Sequence, residues 1–72
     1  MENLTKKVAK AVRENRKRVG LSQEVLAEKA DIDRTYVSMI ERGKVNITLV
    51  VAFKIAKALG ISPSKLFRNI EI

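Results

Sequence analysis

The sequence predicts an all-α domain, and three observations support this class. Apolar residues recur at helical spacing, as in the stripe of Leu4, Val8 and Val12. All three glycines follow helical patterns, at the position where glycine commonly closes a helix. No segment alternates polar and apolar residues as a half-buried strand does. With 72 residues, the chain is expected to form one domain that spans residues 1–72.

Helix starts and stops divide this domain into five predicted helices. We place them at residues 4–19, 22–30, 33–42, 48–59 and 62–69. A residue whose side-chain oxygen can accept a free backbone amide precedes or begins each of the last four, namely Ser22, Asp33, Thr48 and Ser62. The fourth helix has only two charged residues, Lys54 and Lys57, and this composition is typical of a central, buried helix.

The net charge of +7 points to a polyanionic partner. It is unevenly spread: residues 1–22 carry net +5, residues 23–43 net −2 and residues 44–72 net +4. Charge alone does not distinguish DNA, RNA or an anionic membrane, and it can also serve solubility only. The three aromatic residues are too few for the stacking platforms that bind single-stranded RNA.

Several function classes are disfavoured by what the sequence lacks. The chain has no cysteine and no histidine, so the usual zinc ligands, the thiol nucleophile and the commonest general base are missing. We therefore expect no enzyme activity, metal, cofactor or small-molecule ligand. The longest apolar run, residues 49–53, is too short to cross a membrane, and the N-terminus does not resemble a signal peptide. The expected location is cytoplasmic, with nucleoid association if the polyanionic partner is DNA.

Residues 21–43 are the candidate functional segment. They form two short predicted helices joined by a tight turn, where Asp31 can adopt a left-handed conformation. On a helical wheel, the second of these helices is apolar on one side, at Tyr36, Val37 and Ile40. Its other side has short polar groups and arginines, which suit base edges in a major groove but also suit a solvated surface. This helix alone does not decide between the two.

Two opposite charges extend apolar stripes and predict an ion pair. Arg16 stands where the stripe of the first helix calls for an inward residue, and Glu41 lies four residues after Val37 at the edge of the inward face. We predict that Arg16 and Glu41 form a partly buried, structural ion pair between the first and third helices.

The chain resembles the lambda-repressor-like (XRE-type) helix-turn-helix regulators over nearly its whole length. The matching motifs are Leu21-Ser22-Gln23-Glu24, Leu26-Ala27, Tyr36-Val37-Ser38, Ile40-Glu41-Arg42-Gly43, Asn46-Ile47-Thr48-Leu49 and residues 56–63. The run at residues 33–43 is most similar to controller proteins of restriction–modification systems. The chain departs from many members at Asp31, where they have glycine, and at Ile47, where they have proline.

This resemblance implies a five-helix fold and a transcriptional regulator that binds double-stranded DNA. Arg34, Thr35 and Ser38 would contact bases, with a phosphate as the alternative for Ser38. Gln23, Arg42, Lys44 and Asn46 would contact phosphates, and the alternative for Gln23 is a solvated first-turn residue. Two roles remain open for Tyr36: its ring packs at the edge of the core, or its hydroxyl contacts phosphate.

The C-terminal segment, residues 60–72, predicts homodimerisation. Its apolar side chains exceed what one short helix can bury in a small domain, and they are Ile61, Leu66, Phe67, Ile70 and Ile72. The alternative is that they only complete the monomer core. In a two-fold dimer, the third predicted helix of each protomer would enter the major groove. The two copies of this helix would lie about 34 Å apart, which is one turn of DNA.

Two further functions compete with a dimeric regulator acting on a two-fold operator. One is an antitoxin of the same fold, whose main partner is a toxin protein. The other is a non-specific nucleic-acid binder. For a regulator that activates, RNA polymerase is a candidate partner.

Overall fold

The computed structural model describes residues 2–70, with the side chains of residues 4–70, and contains five α-helices. They are α1 (Glu2–Arg18), α2 (Gln23–Ala30), α3 (Arg34–Glu41), α4 (Leu49–Leu59) and α5 (Pro63–Leu66). The remaining described residues form turns and loops, so the predicted all-α, five-helix architecture is confirmed. Ile72 lies outside the described residues.

The four predicted N-caps hold the starts of α2 to α5. Ser22, Thr48 and Ser62 each accept the backbone amide three residues ahead, and Asp33 accepts the amide of Thr35 at 2.7 Å. Each bond satisfies an amide that the helix itself leaves unpaired. The starts of these helices are therefore determined by local sequence chemistry.

A left-handed residue closes α2 and sets the angle of the turn into α3. Asp31 has φ 57 and ψ 49, the conformation that its short polar side chain tolerates better than most. The Asp31 amide bonds to the Glu28 carbonyl at 3.2 Å, and the Ile32 amide reaches back to the Ala27 carbonyl at 3.0 Å. These two bonds form a Schellman closure, with Ile32 packed on the core. The turn is thus built without a glycine.

The core lies where α1 to α4 meet, and it fixes the orientation of α3. Its largest fully buried side chains come from all four helices and are Val12, Leu26, Val37, Ile40 and Ile55. Helix α3 packs on both α1 and α2, α4 packs on α2, and α5 closes the end formed by α4 and α1. Val37 and Ile40 pack into the core on one side of α3, so the opposite side of α3 faces outward.

Two expectations about the C-terminal half were wrong. The fifth helix was expected to span residues 62–69, but it ends at Leu66, and residues 67–69 form a turn. Helix α4 was expected to be a central, buried helix, but its first turns expose Leu49 (77%), Val50 (65%) and Phe53 (58%). Helix α4 packs mainly against α2, with α5 and α1 covering less of it, so one side stays open.

In the part of the chain that the structure describes, no helix is long and apolar enough to cross a membrane.

Candidate nucleic-acid interface

The outward side of α3 presents the predicted base-contacting residues together. Arg34 and Thr35 are exposed in its first turn, and Ser38 is half-buried one turn later. The ring of Tyr36 packs against the core, which favours the packing role for this residue. The helix thus offers a guanidinium and two hydroxyls near its N-terminal end, groups that can bond to base edges.

A network centred on Glu41 holds the C-terminal end of α3. Arg16 Nε donates to Glu41 Oε2 at 2.7 Å, and Arg16 Nη2 donates to Oε1 at 3.0 Å. The two side chains are 12% and 3% exposed, so Arg16 and Glu41 form the partly buried ion pair expected from their positions in the sequence, with Glu41 the more deeply buried of the two. Arg16 Nη1 also donates to the Leu21 carbonyl at 2.8 Å. The Arg16 side chain therefore connects Leu21, the first residue of the candidate functional segment, to Glu41 near the end of that segment.

The ion pair keeps Arg16 charged at any practical pH. The side-chain hydrogen bond with Glu41 raises the pKa of Arg16, and the charge of Glu41 adds to this, while burial lowers it by less. A base whose pKa is raised on folding loses its contribution to stability only as the pH rises through that pKa. Because the pKa of Arg16 is raised from an ordinary value that is already strongly basic, titration of Arg16 does not weaken the network near neutral pH.

Gln23 belongs to the same network. Its Nε2 donates to Glu41 Oε1 at 3.0 Å, which connects the first residue of α2 with the last residue of α3. An amide nitrogen has two hydrogens, so one remains for a second acceptor such as a phosphate oxygen. The phosphate contact of Gln23 stays a prediction, while its contact with Glu41 is a bracing role that the structure shows directly.

The loop after α3 carries the other predicted phosphate contacts. Arg42, Lys44 and Asn46 are all exposed on it. Gly43 has φ 71, and a β-carbon there would lie 3.6 Å from Lys6 Cγ and 3.8 Å from Lys6 Cα. The loop backbone therefore lies directly against α1.

Sequence reasoning missed two residues of α1 that hold this region. Arg13 Nη1 donates to the Glu41 carbonyl at 3.0 Å, at the end of α3 where carbonyls lack helical partners. The Thr5 hydroxyl donates to Asn46 Oδ1 at 2.6 Å. Arg13 lies one turn before Arg16 on α1, and this spacing is the sequence feature that could have indicated it. Nothing in the sequence pairs Thr5 with a residue 41 positions away.

The structure changes which apolar residues can form a dimer interface. Leu66 was assigned to the interface, but it is 2% exposed and belongs to the core, so this assignment was wrong. Ile61, Phe67 and Ile70 are half-buried, and their interface role stays a prediction. The larger exposed apolar surface is the α4 face, defined by Leu49, Val50 and Phe53, and Ile61 lines the same groove as Phe53.

Comparison with known proteins addresses the identity of this fold. The helix-turn-helix family model matches residues 12–66, which include α2, α3 and their turn. The chain belongs to the helix-turn-helix family. This confirms the family expected from the sequence motifs.

Relatives within the helix-turn-helix family include controller proteins. The chain is 50% identical to control protein C.MunI of Mycoplasma sp over 56 residues, covering 78% of this chain and 76% of that protein. It is 52% identical to control protein C.BamHI of Bacillus amyloliquefaciens over 46 residues, covering 64% and 57%. The solved structure of the restriction-modification controller protein C.AhdI from Aeromonas hydrophila superposes with a TM-score of 0.85 at 46% identity, covering 88% of this chain and 96% of that one.

Proposed function

We propose that this chain is a controller-type transcriptional regulator that binds a two-fold symmetric DNA operator as a homodimer. The observation that carries the proposal is the outward side of α3, where Arg34, Thr35 and Ser38 lie together. The opposite side of this helix is packed into the core. A helix of this kind fits the major groove, and the exposed cations of the following loop suit the flanking phosphates. Its relatives include named control proteins, and nothing in these relatives favours an antitoxin.

Base contacts and phosphate contacts have different roles in this proposal. Arg34 is suited to a bidentate contact with guanine, and Thr35 and Ser38 reach neighbouring base edges. Gln23, Arg42, Lys44 and Asn46 set the register on the backbone without reading sequence, and the hydroxyl of Tyr36 is a further candidate for a backbone contact. RNA polymerase is a candidate partner of the DNA-bound dimer.

We expect specific binding to depend strongly on salt concentration. The protein carries net +7, and each phosphate that a protomer neutralises should contribute about −0.9 to the slope of log K against log salt. The measurement is a titration of a fluorescent duplex, selected from random sequence for tight binding, over a series of salt concentrations. A flat salt response, or equal affinity for the selected and a random duplex, would contradict the proposed function.

Arg34→Ala should reduce specificity, whereas Lys44→Ala should reduce affinity for every sequence. Loss of a bidentate guanine contact should cost about 1–3 kcal/mol at the selected site and little on random duplex. Lys44, in the loop, should meet only phosphate, so its loss should weaken both duplexes alike and make the salt slope shallower by about 1. The two variants remove one exposed positive charge each, so they are matched for charge.

The check is the affinity of each variant for the selected operator and for versions with each guanine replaced in turn. Arg34→Ala should bind one of these replacements as well as it binds the parent operator. If it discriminates at every position as the wild-type protein does, Arg34 does not read a base. Thr35, Ser38 or the shape of the DNA would then have to supply the specificity.

A further inference from the structure

Asn46 is held by a residue of α1 that has no assigned role in DNA binding. The Thr5 hydroxyl donates to Asn46 Oδ1 at 2.6 Å, and this bond connects residues 41 positions apart in the sequence. Asn46 itself is exposed, so its amide group remains accessible to a ligand. The bond therefore fixes the orientation of a surface side chain and not that of a core residue.

The chemistry of the amide makes this orientation matter. The amide group of an asparagine side chain is planar, and it has one acceptor atom, the oxygen Oδ1, and one donor atom, the nitrogen Nδ2. Phosphate oxygens only accept, so an asparagine that contacts phosphate must present Nδ2. Because the Thr5 hydroxyl donates its hydrogen bond to Oδ1, the Nδ2 atom of Asn46 points away from that hydroxyl and remains available as a donor.

Two neighbouring contacts hold the loop before Asn46 against α1. Arg13 holds the carbonyl of Glu41, and the backbone of Gly43 lies on Lys6. Between Glu41 and Asn46 the loop thus runs along α1 towards the start of that helix. The Thr5 contact comes last in this series and is the one that acts on a side chain predicted to meet DNA.

We propose that Thr5 is a positioning residue for DNA binding, which fixes the Asn46 amide so that Nδ2 donates to a backbone phosphate. The inference rests on the proposed function, because it assumes that Asn46 contacts phosphate. Fixing the side chain before binding removes the entropy loss that a freely rotating asparagine would suffer on the DNA. Thr5 thus acts through Asn46 and makes no contact with DNA itself.

The test compares Thr5→Val, which keeps the shape of the side chain and removes the hydroxyl, with Thr5→Ser, which keeps the hydroxyl. We expect Thr5→Val to weaken binding about two- to tenfold, as for the loss of one hydrogen bond. The loss should be equal on a duplex selected for tight binding and on a random duplex of the same length, because phosphate contacts carry no sequence information. Thr5→Ser should bind as the wild-type protein does, and thermal melts should show that both variants are folded.

A double-mutant cycle with Asn46→Ala separates positioning from a direct contact. If Thr5 acts through Asn46, the Thr5→Val change should have no further effect in the Asn46→Ala background. Additive losses would mean that Thr5 contacts the DNA directly, and an unchanged affinity of Thr5→Val or Asn46→Ala would mean that the bond has no role. Each of these results overturns the inference. Failure of the wild-type protein to bind either duplex would instead overturn the proposed function.

Discussion

Arg16→Ala and Glu41→Ala should each destabilise the fold, by as much as about 3–5 kcal/mol, which is the cost of leaving a fully buried charge without its partner. A domain of 72 residues has a total stability of about 4–11 kcal/mol, so either change removes a large share of it. Arg16→Ala should be the more destabilising change. It leaves Glu41, the less exposed of the two side chains, without its ionic partner, and it also removes the hydrogen bond to the Leu21 carbonyl. Urea denaturation of both variants measures these losses.

Two further variants make this test specific to burial. Arg16→Met combined with Glu41→Leu should recover much of the loss, because an apolar pair leaves no unpaired charge. Recovery should be incomplete, since the Leu21 carbonyl and the Gln23 amide lose their partners.

The matched control is the exposed pair of Lys10 and Glu14 on α1, which are 67% and 59% exposed. Glu14→Ala should change stability by no more than about 0.5 kcal/mol. Single variants at Arg16 and Glu41 as mild as Glu14→Ala would contradict the argument.

The features that the sequence predicted correctly are those determined by local chemistry. Ser22, Asp33, Thr48 and Ser62 cap helices through bonds to amides two or three residues away, so neighbouring residues suffice to identify them. Arg16 and Glu41 were predictable for a related reason. Each stands at a position of an apolar stripe where a charge is costly unless it is paired.

The features that the sequence did not predict depend on how many neighbours cover a helix. The pattern of α4 shows that it is apolar, but not that α2, α1 and α5 leave Leu49, Val50 and Phe53 uncovered. Leu66 was misassigned for the converse reason, because the short α5 turns it into the core. The contacts of Arg13 and Thr5 likewise arise only when the loop after α3 is laid along α1.

The exposed face of α4 leads to the second large expected effect. Val50→Lys should make the protein monomeric and lower its affinity for the two-fold operator by about 10²- to 10⁴-fold, the advantage that linking two half-site contacts gives. Val50 is 65% exposed, so the substitution should leave the monomer core intact. Sedimentation equilibrium gives the mass, and titrations of full and single half-site duplexes give the affinities. Binding to a single half-site should be nearly unchanged.

The choice of lysine removes the simplest competing explanation for a loss of affinity. An added positive charge favours binding to DNA, so a weaker complex cannot come from repulsion by phosphate. Val19→Lys is the matched control, since Val19 is also exposed (44%) but lies beyond the end of α1, and it should stay dimeric. If Val50→Lys remains a dimer while Phe67→Lys or Ile70→Lys is monomeric, the interface lies on the C-terminal segment as the sequence first indicated. If the wild-type protein is a monomer in solution and also binds the full operator no more tightly than a single half-site, the homodimer is excluded, because a dimer formed before or on the DNA would give the full operator the higher affinity.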